Sequence, residues 1–420
     1  MAAVSIDKQL SDLSGVLDVA LKLGATSELE PLLELIASQA RNVLDAERAS
    51  VFQYDVQSNE LFTRVATGTD REIRIAVDEA SIAGAAANTN QIVNIPDAYS
   101  DPRFNREIDR QTGFHTRSIL SVPLNDNEGR LVGILQVLNK RDGQFNKYDQ
   151  QLAAAFSAQA GVALQRAQLL EEFARKQQME QALQIARAIQ QQLLPRENPH
   201  IPGFDVAGWS QACDETGGDC YDFQMLKGDR LAIMLADATG HGVGPALVIA
   251  ETRALLRAVM SLADDVGQII HQVNNLLADD LGGDRFVTTF FGLLDPGSSA
   301  ICYASAGQGP MLVYDFQQRR VQELPATGIP LGIMPDMEFM AEEPIYFKPG
   351  DMLVLLTDGF YEWANPANEL MGSQRVADVV IENAASPAAD LIDMIRSAVL
   401  EFSEGTEQKD DLTAVIVKKC

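Results

Sequence analysis

Apolar positions change their period several times along this chain. Residues 29–44 carry them at helical spacing, and shorter runs follow at 49–54, 61–67, 91–95, 118–123 and 131–138 that read as strands. The turn Asn125-Asp126-Asn127-Glu128-Gly129 makes a hairpin of the last two. Neither glycine nor proline occurs from Val162 to Leu194. That stretch predicts one helix of about 33 residues, roughly 50 Å long, with Gly161 before it and Pro195, Pro199 and Pro202 ending it. Met179, Leu183, Ala186 and Leu193, with Gln190 filling a gap, form a thin heptad-like seam. It suits a dimeric connecting helix or a solitary helix packed on its own domains. Further on, strands are expected at 204–210, 221–226, 231–236, 288–294, 300–305, 311–314, 352–356 and 412–417, and helices at 245–263, 266–279, 374–384 and 388–403.

The pattern describes an α+β multidomain chain. A sensor-like module over residues 17–166 has strands inside and helices at both ends; a helical linker covers 167–198; a sheet sandwich flanked by helices covers 199–420. A length of 420 residues agrees with two or three domains. No apolar run reaches the length of a membrane span, and the N-terminus MAAVSIDKQL lacks a signal-peptide pattern, so a cytoplasmic protein with no membrane partner is expected. Cys213, Cys220, Cys302 and Cys420 are too scattered for a disulfide framework or a zinc site. The net charge of −26 is uneven: residues 199–420 hold 13 basic against 33 acidic side chains. Such acidity excludes nucleic acid as the expected partner, because phosphates would be repelled.

The chemistry lies in four aspartate motifs at the ends of apolar runs. They are GGDCYD (Gly217 to Asp222), DATGHG (Asp237 to Gly242), TDG (Thr357 to Gly359) and KDDLT (Lys409 to Thr413). The run LAIMLA leads into Asp237, MLVLL leads into Thr357-Asp358, and Asp410-Asp411 precede LTAVIV. Runs of this kind read as strands buried on both faces, and carboxylates gathered at their ends need a cation to be tolerable. Hard oxygen donors select magnesium or manganese. Two such ions sharing a carboxylate generate a hydroxide and neutralise a phosphoryl group, which suits in-line hydrolysis of a phosphate ester. An aspartyl-phosphate mechanism would call for an Asp-x-Asp-x-Thr run, which is missing.

The order and wording of these motifs resemble the metal-dependent protein phosphatases, in particular the SpoIIE-like branch that regulates bacterial sigma factors. The likeness includes IARAIQQQLLP, GGDCYDF, LADATGHGVGPAL, FVTTFFGLLDP, YASAGQGP, PLGI, KPGDMLVLLTDGFYE and KDDLTAVIV. It implies an α-β-β-α sandwich. By the same resemblance Asp237 bridges two metals with help from the carbonyl of Ala238, Asp358 and Asp410 hold the second metal, and Asp219 orients waters of the first or binds it. Asp222 and Asp411 would be supports. In the wider family a histidine close behind the bridging aspartate protonates the leaving oxygen; His241 follows Asp237 by four residues, so packing at the head of the next helix is an equal reading, and Gln308, which stands where the family often has histidine, is given no catalytic role. Arg253 and Arg257 are left outside the site. Asp78, Asp126 and Asp336 read as turn residues.

The stretch from Asn94 to Leu124, followed by LQVLNKRDGQFNKYDQQ, resembles a GAF domain, particularly those of cyclic-nucleotide phosphodiesterases and adenylyl cyclases. Asn139, Lys140, Phe145 and Asp149 match that group's pattern, with Gln150 in place of glutamate. The resemblance implies a Lys140–Asp149 ion pair that fixes a pocket lid, and a small ligand such as cAMP or cGMP. His115 as a haem ligand is the weaker alternative to a structural histidine. Together the resemblances imply a GAF-regulated serine/threonine phosphatase, homodimeric, acting on a phosphoprotein of the anti-sigma-factor antagonist type. The rivals are a catalytically silent scaffold and a cyclic-nucleotide receptor with a phosphatase output.

Overall fold

The computed structural model describes residues 6–63, 73–240 and 242–420, with side chains from residue 14 onward. The chain forms two compact units, Met1–Gln178 and Met179–Cys420.

In the first unit, helices α1 (Ile6–Ala25) and α2 (Leu29–Val43) precede strands β1 (Ala46–Asp55), β2 (Glu60–Thr63) and β3 (Ile73–Ala76). Helix α3 (Ile82–Thr89), strand β4 (Val93–Ile95), helix α4 (Arg106–Thr112), strands β5 (Ile119–Asn125) and β6 (Leu131–Lys140), and the part of helix α5 (Lys147–Leu193) up to Gln178 complete it, the rest of α5 belonging to the second unit. The strands pair in the order β3-β2-β1-β6-β5-β4, antiparallel throughout. One core joins Leu32 and Ile36 of α2, Val51 and Val122 of the sheet, and Phe156 and Leu164 of α5. On the other face Phe52, Leu61 and Ile134 pack with Ala83 and Ala86 of α3. Helix α3 escapes a periodicity reading because IAGAAANT has little contrast between its faces; its start is set by Ser81, whose hydroxyl accepts from Gly84 N. Of the run expected at 61–67, strand β2 covers the first part, and residues 64–67 lie outside the described residues.

The long helix begins at Lys147, well before Val162. Its early turns are amphipathic and bury Leu152, Ala153, Phe156 and Ala160. Gly161 therefore does not open the helix. It lets the helix approach strand β5, since a Cβ there would lie 2.1 Å from Asn125 O. Of the expected seam, Leu183, Ala186, Gln190 and Leu193 are half-buried and Met179 is exposed, as are Ile185 and Ile189, which lie off it. The coiled coil thus remains an expectation.

The second unit contains β7 (Phe204–Gln211), β8 (Asp219–Met225), β9 (Leu231–Ala238), α6 (Val243–Val259), α7 (Val266–Leu281), β10 (Val287–Asp295), β11 (Ala300–Ala306), β12 (Met311–Asp315) and β13 (Arg320–Leu324). It ends with β14 (Ile345–Tyr346), β15 (Met352–Leu356), α8 (Gly359–Glu362), α9 (Gly372–Glu382), α10 (Ala388–Ser403) and β16 (Leu412–Lys419). Two five-stranded antiparallel sheets result, β14-β11-β10-β9-β8 and β13-β12-β15-β16-β7. Between them pack Leu231, Ile233, Leu235 and Phe290 from one sheet and Leu353, Leu355, Val415 and Val417 from the other. Helices α6 and α7 cover the outer face of the first sheet and α9 and α10 that of the second. The continuous apolar runs are explained by this four-layer α-β-β-α order: in β9 the odd residues face the other sheet and Ala232, Met234 and Ala236 face the helices.

Candidate metal centre

Antiparallel pairing brings the first two aspartates together. Strands β8 and β9 run in register with Asp219 opposite Asp237, so the start of one strand meets the end of the other. In the second sheet β15 pairs with β16, Leu356 opposite Ala414, and Thr357 N donates to Thr413 O. Asp358 leaves the end of β15 just where Asp410 and Asp411 enter β16. The two sheets are tied at this corner by the Thr357 hydroxyl, which donates to Asp219 Oδ2 at 2.8 Å. Thr357 Oγ1 also accepts from Thr413 N at 2.9 Å. Glycine is required beside the site for space: a Cβ on Gly359 would meet Asp411 O at 2.1 Å, and one on Gly218 would meet Ala238 O at 2.7 Å.

The electrostatics are those of crowded carboxylates. Burial, then the neighbouring charges of Asp237 and Asp411, raises Asp219 well above the carboxylate range. Burial, followed by Asp358 and Asp410, pushes Asp237 up to about 8. Asp358 rises to about 6 through burial and then Asp410. Each wants either a proton or a cation, and among the described residues no lysine or arginine pairs with any of the three. Among the described residues no three histidine, cysteine, aspartate or glutamate side chains close into a cage. A magnesium-type ion needs no such cage, because it keeps several waters and is held by one or two carboxylates plus a substrate phosphate. The donor set therefore fits a hard divalent cation.

Asp411 and Asp222, expected as supports, do different things. The buried Asp411 carboxylate accepts from Cys213 N at 2.7 Å, from Gly218 N and from Asp219 N at 3.3 Å, so it shapes the loop that presents Asp219. Asp222 lies three residues beyond Asp219 on β8 and so points to the opposite face. There it pairs with Arg257, whose Nη2 donates at 2.8 Å. Arg253 Nε lies 3.0 Å away, near enough for an ion pair though out of line for a hydrogen bond. Asp222 thus belongs to the packing of α6 on the sheet, and the two arginines left outside the site are its partners. Gln308 is buried, donating to Leu356 O at 3.0 Å and accepting from Thr288 Oγ1, which makes it a tie between β10 and β15. His241 lies outside the described residues. Thr357 was legible in the TDG motif as a residue but not as a bridge, for its partner is 138 positions away in the chain.

The model of the family described as Stage II sporulation protein E (SpoIIE) matches residues 227–419, and the GAF domain model matches residues 28–164. The C-terminal unit is a SpoIIE-family phosphatase domain. It is similar to the phosphoserine phosphatase RsbU of Bacillus subtilis, with 24% identity over 58% of this chain and 72% of RsbU. Protein IcfG of Synechocystis sp. is 27% identical over 56% of this chain, which spans only 41% of that relative. In fold the SpoIIE-type unit resembles the SiaA-PP2C domain of Pseudomonas aeruginosa: the TM-score is 0.53 at 21% identity, covering 59% of this chain and 99% of that one. Metal-dependent protein phosphatase is the enzyme class of this family.

The GAF domain preceding this SpoIIE-type unit is similar to part of the probable 3′,5′-cyclic phosphodiesterase pde-5 of Caenorhabditis elegans, at 31% identity over 36% of this chain and 22% of the relative. It encloses a cavity of about 240 Å³, lined by Arg48, Ser50, Phe52, Phe114, Thr116 and Gln136 among others. Lys140 and Asp149 form the expected ion pair at 2.9 Å, and Lys140 Nζ also donates to Leu44 O. Asn139 Oδ1 accepts from Arg117 N and Ser118 N. These residues build the domain and none lines the cavity. The His115 ring packs against Tyr99 at a tilt, 5.1 Å between ring centroids, which favours its structural reading.

Proposed function

We propose that this protein is a serine/threonine phosphatase that hydrolyses the phosphate ester of a small signalling phosphoprotein, of the anti-sigma-factor antagonist type or similar. The observation that carries the reading is the meeting of Asp219 and Asp237 from one sheet with Asp358 and Asp410 from the other, with no lysine or arginine among the described residues to balance the first two or Asp358. Such a corner repels a bare phosphoester and attracts divalent cations. Asp237, with the Ala238 carbonyl beside it, would hold manganese or magnesium ions in common; Asp358 and Asp410 would hold the second ion and Asp219 would bind the first or orient its waters. Bound there, the ions would supply a hydroxide near neutral pH and offset charge on the phosphoryl group.

The chain's own part is positional. Asp411 fixes the backbone ahead of Asp219, Thr357 orients the Asp219 carboxylate, and Gln308 holds β15 beside β10. The description of RsbU as a phosphoserine phosphatase supports the substrate class. Regulation would come from a small ligand in the GAF cavity, with cAMP or cGMP suggested by the phosphodiesterase likeness, and from a homodimer formed through exposed apolar residues of α5 such as Phe173 and Ile185. Hydrolysis of a phosphoserine peptide with added manganese, compared with Asp237→Ala and Asp358→Ala, tests the assignment. Metal-dependent turnover should fall about 10²–10³-fold in both variants, the range seen when a principal electrostatic group is removed. A parent inert with either metal would favour the silent scaffold.

A further inference from the structure

We infer that Gln190, near the end of α5, is a positioning residue for the metal centre, an inference that rests on the phosphatase reading above. Its side-chain amide is bonded at both ends to one residue of the loop before Asp219. Gln190 Nε2 donates to Gly217 O, and Oε1 accepts from Gly217 N at 3.0 Å. An amide that closes on the C=O and N–H of a single residue sets the place and the tilt of that stretch of backbone. The next two backbone N–H groups, of Gly218 and Asp219, donate to the Asp411 carboxylate, and Asp219 Oδ2 then accepts from Thr357. From the helix to a buried metal-site carboxylate the hydrogen bonds therefore form one unbroken series.

Two further observations give Gln190 its weight. Gly217 and Gly218 are adjacent glycines, the residues with the most backbone freedom to lose, so this loop depends on outside restraint. A cavity of about 270 Å³, lined by Arg187, Gln190, Trp209, Asp219 and Arg396 among others, lies beside the helix end. The amide, rather than close packing all round, thus carries the tie at this point. Rotation of α5 about its axis would withdraw it from Gly217, and Asp219 would lose a fixed support.

The test measures manganese binding to the full chain by electron paramagnetic resonance of the free ion, alongside the dependence of kcat on manganese. Gln190→Met keeps the length and helix preference of the side chain but removes both bonds; Gln192→Met makes the same change at an exposed position of the same turn. Gln190→Met should weaken manganese binding about tenfold, the low end of the effect of removing a group that orients metal ligands. Gln192→Met should bind as the parent does. Metal-free melting temperatures within about 2 °C of the parent exclude a general loss of fold, and Gln190→Asn, one methylene short of Gly217, serves as a second variant should the first unfold. Parent-like manganese binding by Gln190→Met, or equal weakening in both variants, overturns the inference alone. A parent that binds no manganese overturns the phosphatase reading with it.

Discussion

At the residue scale, Asp219 and Asp222 show how one strand carries two opposite roles. They stand three positions apart on β8, one facing the opposing sheet among carboxylates, the other facing α6 between Arg253 and Arg257. Neutralising each should have opposite effects on metal-free stability. Asp219→Asn removes a buried charge that its neighbours oppose and keeps an acceptor for Thr357; the melting temperature of the metal-free protein should rise by about 2–4 °C, equivalent to ~1 kcal/mol in a domain of this size. Asp222→Asn leaves the largely buried Arg253 without its anion and should cost about 3 kcal/mol, read from urea denaturation. Manganese binding should vanish in the first and persist in the second. Equal destabilisation by both would mean that Asp219 is an ordinary structural carboxylate.

At the scale of elements, helix α5 depends on a glycine in its middle. Helix interiors disfavour glycine by about 1 kcal/mol against alanine, so Gly161→Ala would stabilise an exposed helix. Here the added methyl would meet Asn125 O at 2.1 Å and Asn125 N at 2.7 Å. The expected outcome is destabilisation by about 1–3 kcal/mol, the usual cost of overpacking, seen as a lower denaturant midpoint. A rise in stability would show that helix and strand can separate at no cost.

At the scale of the whole molecule, the carboxylate corner makes stability depend on pH and metal together. Asp237 titrates at about 8 and Asp358 at about 6 in the metal-free fold, against 3.8 ordinarily. The folded state then binds more protons than the unfolded one between about pH 4 and 8, so stability falls as pH rises through that window and levels off above it. On the proposed phosphatase reading manganese would replace those protons, and its stabilising effect should be greater at pH 8 than at pH 5.5. Calorimetric melting at both pH values, with chelator or with manganese, checks this. The net charge of −26 contributes a similar slope; the share owed to the site is what Asp237→Asn with Asp358→Asn removes. A metal-free melting temperature that climbs from pH 5.5 to 8 would contradict the carboxylate assignment. Titration calorimetry of the full chain with cAMP and cGMP addresses the other unit, and no heat at high micromolar ligand would eliminate the receptor reading.

Much of this was legible along the chain because it rests on local signals. Apolar runs of five or six residues ending in Asp-Ala or Thr-Asp-Gly declare strands buried on both faces with carboxylates at their tips, and LAIMLA and MLVLL are buried throughout. The glycine-free stretch declared a long helix. What spacing does not encode is which strands pair and which face a side chain takes in the assembled layers. The alternation that turns Asp222 away from Asp219 acquires meaning only when one face of β8 meets the second sheet and the other meets α6. Gly161 reads as a helix boundary until strand β5 is seen to pass within contact of it. The bonds of Thr357 to Asp219 and of Gln190 to Gly217 join residues 138 and 27 positions apart, distances over which no local pattern constrains a hydrogen bond. The sequence by itself determined the strands, their terminal aspartates and the hard-metal chemistry those donors favour. Only the tertiary structure decided which carboxylates share a corner, because their burial and mutual repulsion exist only once the two sheets are packed.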